Sequence, residues 1–438
     1  EIKIKNERSF YDTVLYTHHG PIVWDYDMQT PTIGAQNSKY KIKQTSSNRA
    51  LKWIAHEPSN ELKAFFGINK SSNYNEFISY LNYYKCPGQN FVYADKKGDI
   101  GIFHSGSQPI KWYKQGIYIQ DGGDTEYEWG EPIPHSQKPQ IKNPRLGYVS
   151  SANQHPVDQT YPYFLSGGFW MSYRGIEINR NLDTLYNATI NDMKNIQLNN
   201  KYGVAKNMLP FMLDIIRNDS LINHNDTLWI SKLSQWNYDY DKSSIEATFF
   251  NTWLNKIEEL TWFDDFGEED SIYIWPNINI LDELASNKPN SKWFDNKLTK
   301  KTETFDDIVI KSFNHTLQNL NKYLGDINES WEWGNYRGTN INHIAKIPGL
   351  GKLNLKTSGG PEIINATGKT FGPSFRYNIE MGDTIKTIGI YPGGQSGYPG
   401  SLYYDNFVDD WTNGLYYNLI FNSSAENIKG SNVICVPD

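Results

Sequence analysis

Apolar and polar positions follow two periods along this chain, and the switches between them outline its organisation. Over residues 1–180 the period is mainly two, which places alternate side chains on opposite faces of a strand. Asp12-Thr13-Val14-Leu15-Tyr16-Thr17 is rich in strand formers and stops at Gly20-Pro21. Phe91-Val92-Tyr93-Ala94-Asp95 and Ile100-Gly101-Ile102-Phe103-His104 flank Lys96-Lys97-Gly98-Asp99. That arrangement predicts a hairpin with a glycine in its turn. A helix is expected just before it, because Asn73 can cap, Glu76 follows three residues later, and Phe77, Ile78 and Leu81 supply one apolar face.

Over residues 181–334 the period changes to 3.6. Thr189 and Asp192 form a capping pair, and Ile245, Phe249, Trp253, Ile257 and Leu260 share one face of a second helix. Thr304 with Asp307 opens a third, carrying Ile308, Leu317, Leu320 and Leu324. This block reads as helical and without chemistry of its own. Residues 335–438 return to glycine-punctuated strands, with turns at Gly359-Gly360, Gly372-Pro373 and Gly393-Gly394 and a last helix over about Asn406–Asn418. Strands, then helices, then strands predict an α+β fold in which the final segment rejoins the first sheet.

Composition narrows the possible partners. A mean hydropathy of -0.64 reads as soluble, and no apolar stretch approaches the length of a bilayer span. No signal peptide is visible at Glu1-Ile2-Lys3-Ile4-Lys5. The net charge of -7, without any Lys/Arg stripe, argues against nucleic acid as the main partner. Aromatic residues make up 15% of the chain, enough to line a carbohydrate or peptide cleft as well as a core, so an aromatic-rich binding protein stays an open reading. Cys86 and Cys435 are too few for a disulfide framework, and the sequence does not settle whether they pair. His18 and His19 are adjacent and lack helical ligand spacing, so no metal is expected there.

Chemistry concentrates in Gly147-Tyr148-Val149-Ser150-Ser151-Ala152-Asn153-Gln154-His155-Pro156, followed by Arg174 and Arg180. The run reads as a short strand ending at a polar Ala-Asn step. A carboxamide there can aim its N–H at a developing oxyanion, as acyl transfer requires. On its residues alone, Asn153 is also an ordinary turn residue. Nothing near Glu1 resembles an activated nucleophile, and nothing marks Ser9 as a new N-terminus.

Several segments, taken in order, carry a resemblance. They are Thr17-His18-His19-Gly20-Pro21, then Gln89-Asn90-Phe91-Val92-Tyr93-Ala94-Asp95 with Gly98 and Ile100-Gly101, then Asn143-Pro144-Arg145 through Ala152-Asn153-Gln154. Trp331-Glu332-Trp333-Gly334, Gly359-Gly360 and Gly372-Pro373-Ser374-Phe375-Arg376 follow. Pro392-Gly393-Gly394-Gln395-Ser396-Gly397-Tyr398-Pro399, Tyr404-Asp405 and Trp411-Thr412-Asn413-Gly414 complete the series. Each is weak alone, but their order over nearly the whole chain resembles the penicillin acylase family of N-terminal-nucleophile hydrolases. Only the helical middle is vague, with Trp236-Asn237 where the family has a Trp-Asp step.

The resemblance implies part of a four-layer αββα core with a helical insertion. It divides the chain into a sheet-forming part (1–180), a mainly helical segment (181–334), and strands returning to the core with a C-terminal helix (335–438). It implies a precursor cut autocatalytically into two chains, the second beginning with a nucleophilic Ser. This chain resembles the C-terminal part of that second chain, so the Ser is expected outside it, and the chain alone is expected to be inactive. A pseudoenzyme that kept the fold and lost the nucleophile is the alternative. Partners implied are a small-molecule N-acyl amine and the remaining acylase segments, namely the α chain and the N-terminal part of the β chain. The expected compartment is periplasmic or secreted, with cytoplasmic as the alternative.

By the same resemblance Asn153 is the oxyanion donor and Arg174 an active-site support. Phe66 and Gln89 fall where the family places acyl-pocket walls, while Arg145 and Arg180 look structural. No cofactor is expected for the chemistry. A structural calcium belongs to the family pattern, but its ligands are not identifiable, since the relevant interval offers only Asp158, off register.

Overall fold

The hairpin expected at 91–104 forms the longest strand ladder among the described residues. A computed structural model describes residues 1–24, 49–165, 171–219, 224–267 and 275–421. Within it the chain forms two compact units, residues 1–172 with 258–305 and residues 173–257 with 306–438.

In the first unit, Gln89–Ala94 pairs antiparallel with Ile100–Ser105, from Gln89 opposite Ser105 to Ala94 opposite Ile100. Gln140–Lys142 adds a third strand on the far side of Ile100–Ser105. The turn closes because the Asp95 carboxylate accepts the N–H groups of Lys97 at 2.8 Å and Asp99 at 3.1 Å, while Gly98 takes φ +92°. Alternation along Ile100–Ser105 gives the sheet two unlike faces. Gly101, Phe103 and Ser105 are buried on one, and Ile102 and His104 look out from the other. A Cβ on Gly101 would lie 2.5 Å from the Tyr74 ring, so this glycine lets the helix Tyr74–Tyr80 pack directly on the sheet. That helix starts as predicted, with the Asn73 side chain accepting the Glu76 N–H at 3.0 Å.

Tyr16–Thr17, Gly20–Trp24 and Arg49–Ala50 form a second small sheet. The strand expected over 12–17 is therefore shorter than its pattern suggests. Its ladder begins at Leu15, whose carbonyl accepts the Ile22 N–H at 2.8 Å. Val14 and Leu15 are exposed, because strand-forming residues bury a face only where a neighbouring layer covers them.

Helices dominate the second unit. Ile190–Gln197 opens on the Thr189–Asp192 capping box, and Gly203–Arg217, His224–Gln235 and Phe305–Leu324 follow the 3.6 period. The long helix Ile245–Phe266, whose residues 245–257 belong to this unit, presents Phe249 and Trp253 to an aromatic core. Trp229 stacks on Phe249 at 4.3 Å and on Trp331 at 5.3 Å, and Trp253 meets Phe313 edge-on at 5.0 Å. The Trp253 indole N–H donates to Ser312 Oγ at 2.9 Å, so the ring is buried without an unsatisfied donor.

Strands Arg376–Glu380, Lys386–Ile390 and Tyr417–Asn418 pair with one another, as do Thr339–Ile341 and Lys352–Leu355. The last helix is Val408–Thr412, not the longer span its apolar residues suggest. Gly414 takes φ +68° just beyond its cap and turns the chain into the Tyr417–Asn418 strand. The class is α+β. Among the described residues the strands lie in four sheets of two or three strands, and no helix is long and apolar enough to cross a membrane. Cys435 lies outside the described residues. Cys86 is half-buried, and burial pushes its thiol pKa up.

Candidate active site

Asn153 sits at an exposed turn whose backbone is held from the sheet behind it. The segment leaves Gln140–Lys142 at Asn143, which takes φ +47°, accepts the Ile100 N–H at 2.9 Å and donates to Asp99 at 2.7 Å. Residues 147–153 are irregular rather than the expected strand. From this sheet the Asn90 side chain reaches the segment, at Ser151. Asn153 itself has φ +69°, a left-handed conformation that Asn tolerates better than other non-glycine residues.

Hydrogen bonds from side chains help fix this turn. The Asn153 backbone N–H donates to Ser151 Oγ at 3.3 Å, and the Ala152 N–H donates to Gln154 Oε1 at 2.7 Å. Ser151 Oγ also accepts from Asn90 Nδ2 at 2.8 Å. Asn90 Oδ1 lies 2.8 Å from His104 Nδ1. Because Asn90 donates to Ser151 through Nδ2, its Oδ1 is the acceptor and His104 donates from Nδ1. A line of hydrogen bonds thus runs from the centre of the sheet to the backbone of Asn153.

The outward face of the sheet and this turn enclose a cavity of about 430 Å³, lined in part by His104, Lys138, Ser151, Gln154, His155 and Tyr161. Lys138 is only 4% exposed, and burial, with repulsion from Lys85, pushes its pKa down to about 8. Burial also lowers the His104 pKa, assisted by the charges of Lys138 and His155. The cavity therefore favours a neutral imidazole and a weakened ammonium beside the Asn153 turn.

The other residues singled out in the sequence are placed as follows. Phe66 is exposed on the helix Glu61–Ile68, with Lys70 Nζ 4.0 Å from its ring centre. Gln89 is exposed at the start of its strand, and neither residue lines the cavity. Arg145 is exposed in the loop leading to Asn153. Arg174 belongs to the second unit, half-buried in the first turn of the helix Tyr173–Leu182. Burial disfavours its charge, and the Glu362 carboxylate offsets part of that effect. Arg180 pairs with Glu177 at 3.4 Å on the same helix.

Sequence reasoning missed Asn90, His104 and Lys138. The first two were within reach, because a symmetric closure of the predicted turn puts Asn90 directly opposite His104, both on polar positions of one face. Asp158 Oδ1 accepts the Thr160 N–H at 2.8 Å and the Thr160 hydroxyl at 2.6 Å.

The sequence matches the family model described as penicillin amidase over residues 1–427. The chain belongs to the penicillin amidase family. Among its relatives, the acyl-homoserine lactone acylase QuiP of Pseudomonas syringae pv. tomato is 21% identical over 95% of this chain and 52% of its own length. The QuiP acylase of Pseudomonas fluorescens is 23% identical with the same coverage. Penicillin G acylase of Escherichia coli is 28% identical over 42% of this chain. In structure the chain is similar to the thermostable penicillin G acylase of Alcaligenes faecalis, with a TM-score of 0.70 and 15% identity over all of this chain and 81% of that one. The chain spans about half the length of the QuiP acylases it matches.

Proposed function

We propose that this chain is the larger part of the catalytic β chain of an amidase that hydrolyses an N-acyl amide through an acyl-enzyme. In this reading the described sheets belong to a four-layer αββα core completed by polypeptide beyond this chain. That polypeptide also supplies the attacking hydroxyl, on an N-terminal Ser whose own α-amino group, with an ordinary pKa of about 8, serves as base. The Ser oxygen adds to the amide carbonyl, the amine leaves with the proton that the base collected, and water releases the acid. The Asn153 carboxamide and backbone N–H groups hold the tetrahedral oxyanion, and Arg174 supports the site through its forked donors. The family's role makes export to the periplasm or beyond the expected setting.

The observation that carries this reading is the exposed, left-handed turn at Asn153, pinned through Ser151 and Asn90 rather than left to a mobile loop. An oxyanion donor has to be held in place before the charge develops, and this turn is built that way. The names of the QuiP relatives make N-acyl-homoserine lactones the first substrates to test, with phenylacetyl amides second.

The test is to express the complete reading frame, confirm processing by mass spectrometry, and assay both substrate classes. The reading predicts release of free amine and an acyl adduct on the new N-terminal residue. A processed, folded protein that hydrolyses neither class and traps no acyl group would overturn it.

A further inference from the structure

We propose that His18, His19 and Glu128 form a site for one divalent transition-metal ion of the zinc type. The two histidines occupy the tight turn between Tyr16–Thr17 and Gly20–Trp24. Their adjacency looked unsuited to a metal because it lacks helical spacing, but here a hairpin turn presents them to a carboxylate far along the chain. Gly20 helps fix that turn, with φ +131° and a missing Cβ that would lie 2.3 Å from the Leu51 carbonyl oxygen.

One oxygen is shared. Glu128 Oε1 is 3.1 Å from His18 Nε2 and 3.5 Å from His19 Nδ1, and the three ligating atoms all lie within 4.8 Å of one another. Metal–ligand bonds of about 2.0–2.1 Å at tetrahedral angles place neighbouring ligand atoms about 3.3–3.4 Å apart. The two observed separations bracket that edge.

The tautomer of His19 is a second, separate indication. Its Nε2 lies 2.8 Å from the Gly122 carbonyl, which can only accept, so Nε2 carries the proton. With Nε2 so engaged, Nδ1 is the ring nitrogen that faces the Glu128 oxygen and is the atom placed to bind a cation. A histidine ligand whose other nitrogen donates to a backbone carbonyl is the usual supporting arrangement at metal sites. Gly122 permits the approach, since a Cβ there would stand 3.1 Å from the His19 ring nitrogen.

Lys52 Nζ binds the other oxygen, Glu128 Oε2, at 2.5 Å. It leaves Oε1 as a single ligand atom and also weakens cation binding by repulsion. The side chain of His18 is 66% exposed, so solvent can fill the remaining coordination position. Two imidazoles and one carboxylate suit zinc and its neighbours rather than calcium or magnesium. The ion would tie the hairpin turn to the loop carrying Gly122 and Glu128, and binding only to the folded chain would raise its stability.

The experiment uses the complete, processed protein, stripped with a chelator. Zinc is titrated against a chromophoric competitor, and cobalt is added separately as a spectroscopic stand-in. The proposal predicts one zinc per chain, a rise in melting temperature with zinc but not with calcium or magnesium, and an intense visible cobalt spectrum of tetrahedral type. His19→Ala and Glu128→Gln should each weaken zinc binding by at least about tenfold. His18→Ala removes an exposed ligand without disturbing packing and should do the same, so the test stands even if the other two variants fold poorly. Absence of stoichiometric zinc binding, or binding of unchanged strength in His18→Ala, would overturn the proposal.

Discussion

Asn90 donates its side-chain N–H to the Ser151 hydroxyl across 2.8 Å, joining the sheet to the turn that carries Asn153. Asn90→Ala removes that donor and also the acceptor for His104. Losing such a pair, with a part-buried donor left behind, costs about 1–3 kcal/mol. Urea unfolding of the variant should show a loss in this range. In the complete enzyme, kcat should fall while KM changes little, because the turn and not the substrate pocket is disturbed.

Lys138 supplies a pH test of the cavity. Its folded pKa of about 8 lies below the ordinary lysine value of 10.5, so between these values the unfolded chain binds more protons. Stability from this group therefore rises with pH across that window and is lost as pH falls through the folded pKa. Lys138→Met should raise the melting temperature most at pH 7, and the gain should shrink toward pH 10. An equal gain at both would show that the ammonium is not disfavoured by its surroundings.

The aromatic core of the second unit makes a prediction about packing. Trp253 is fully buried against Phe249 and Phe313. Trp253→Ala should destabilise by about 3–5 kcal/mol, through lost transfer energy and the cavity left behind. Tyr186→Ala, at a site 91% exposed, should stay within about 0.5 kcal/mol of the parent chain in the same denaturant series.

What could be read from sequence was local. The Asp95–Asp99 turn, the Asn73 cap and the Thr189–Asp192 box each depend on residues within four positions, and each forms as its pattern predicts. The face shared by Phe249 and Trp253 was legible for the same reason. Elements whose extent depends on a distant partner were not. The 12–17 strand, the irregular 147–153 segment and the short Val408–Thr412 helix all end where neighbouring elements or a left-handed glycine decide. Asn153 was singled out by its motif, but its anchorage through Asn90 and His104 is a matter of cross-strand register. The burial of Lys138 has no local signal, and neither does the meeting of His19 with Glu128.

The central claim concerns the Asn153 carboxamide, and kinetics of Asn153→Ala in the complete, processed protein test it most directly. Loss of one oxyanion donor should lower kcat on an N-acyl amide by about a hundredfold to a thousandfold, with KM nearly unchanged and the melting temperature lowered modestly, because alanine tolerates the left-handed turn less well than asparagine. A variant that keeps kcat within about threefold of the parent would contradict the account, since removing a donor that stabilises the transition state cannot leave the rate intact.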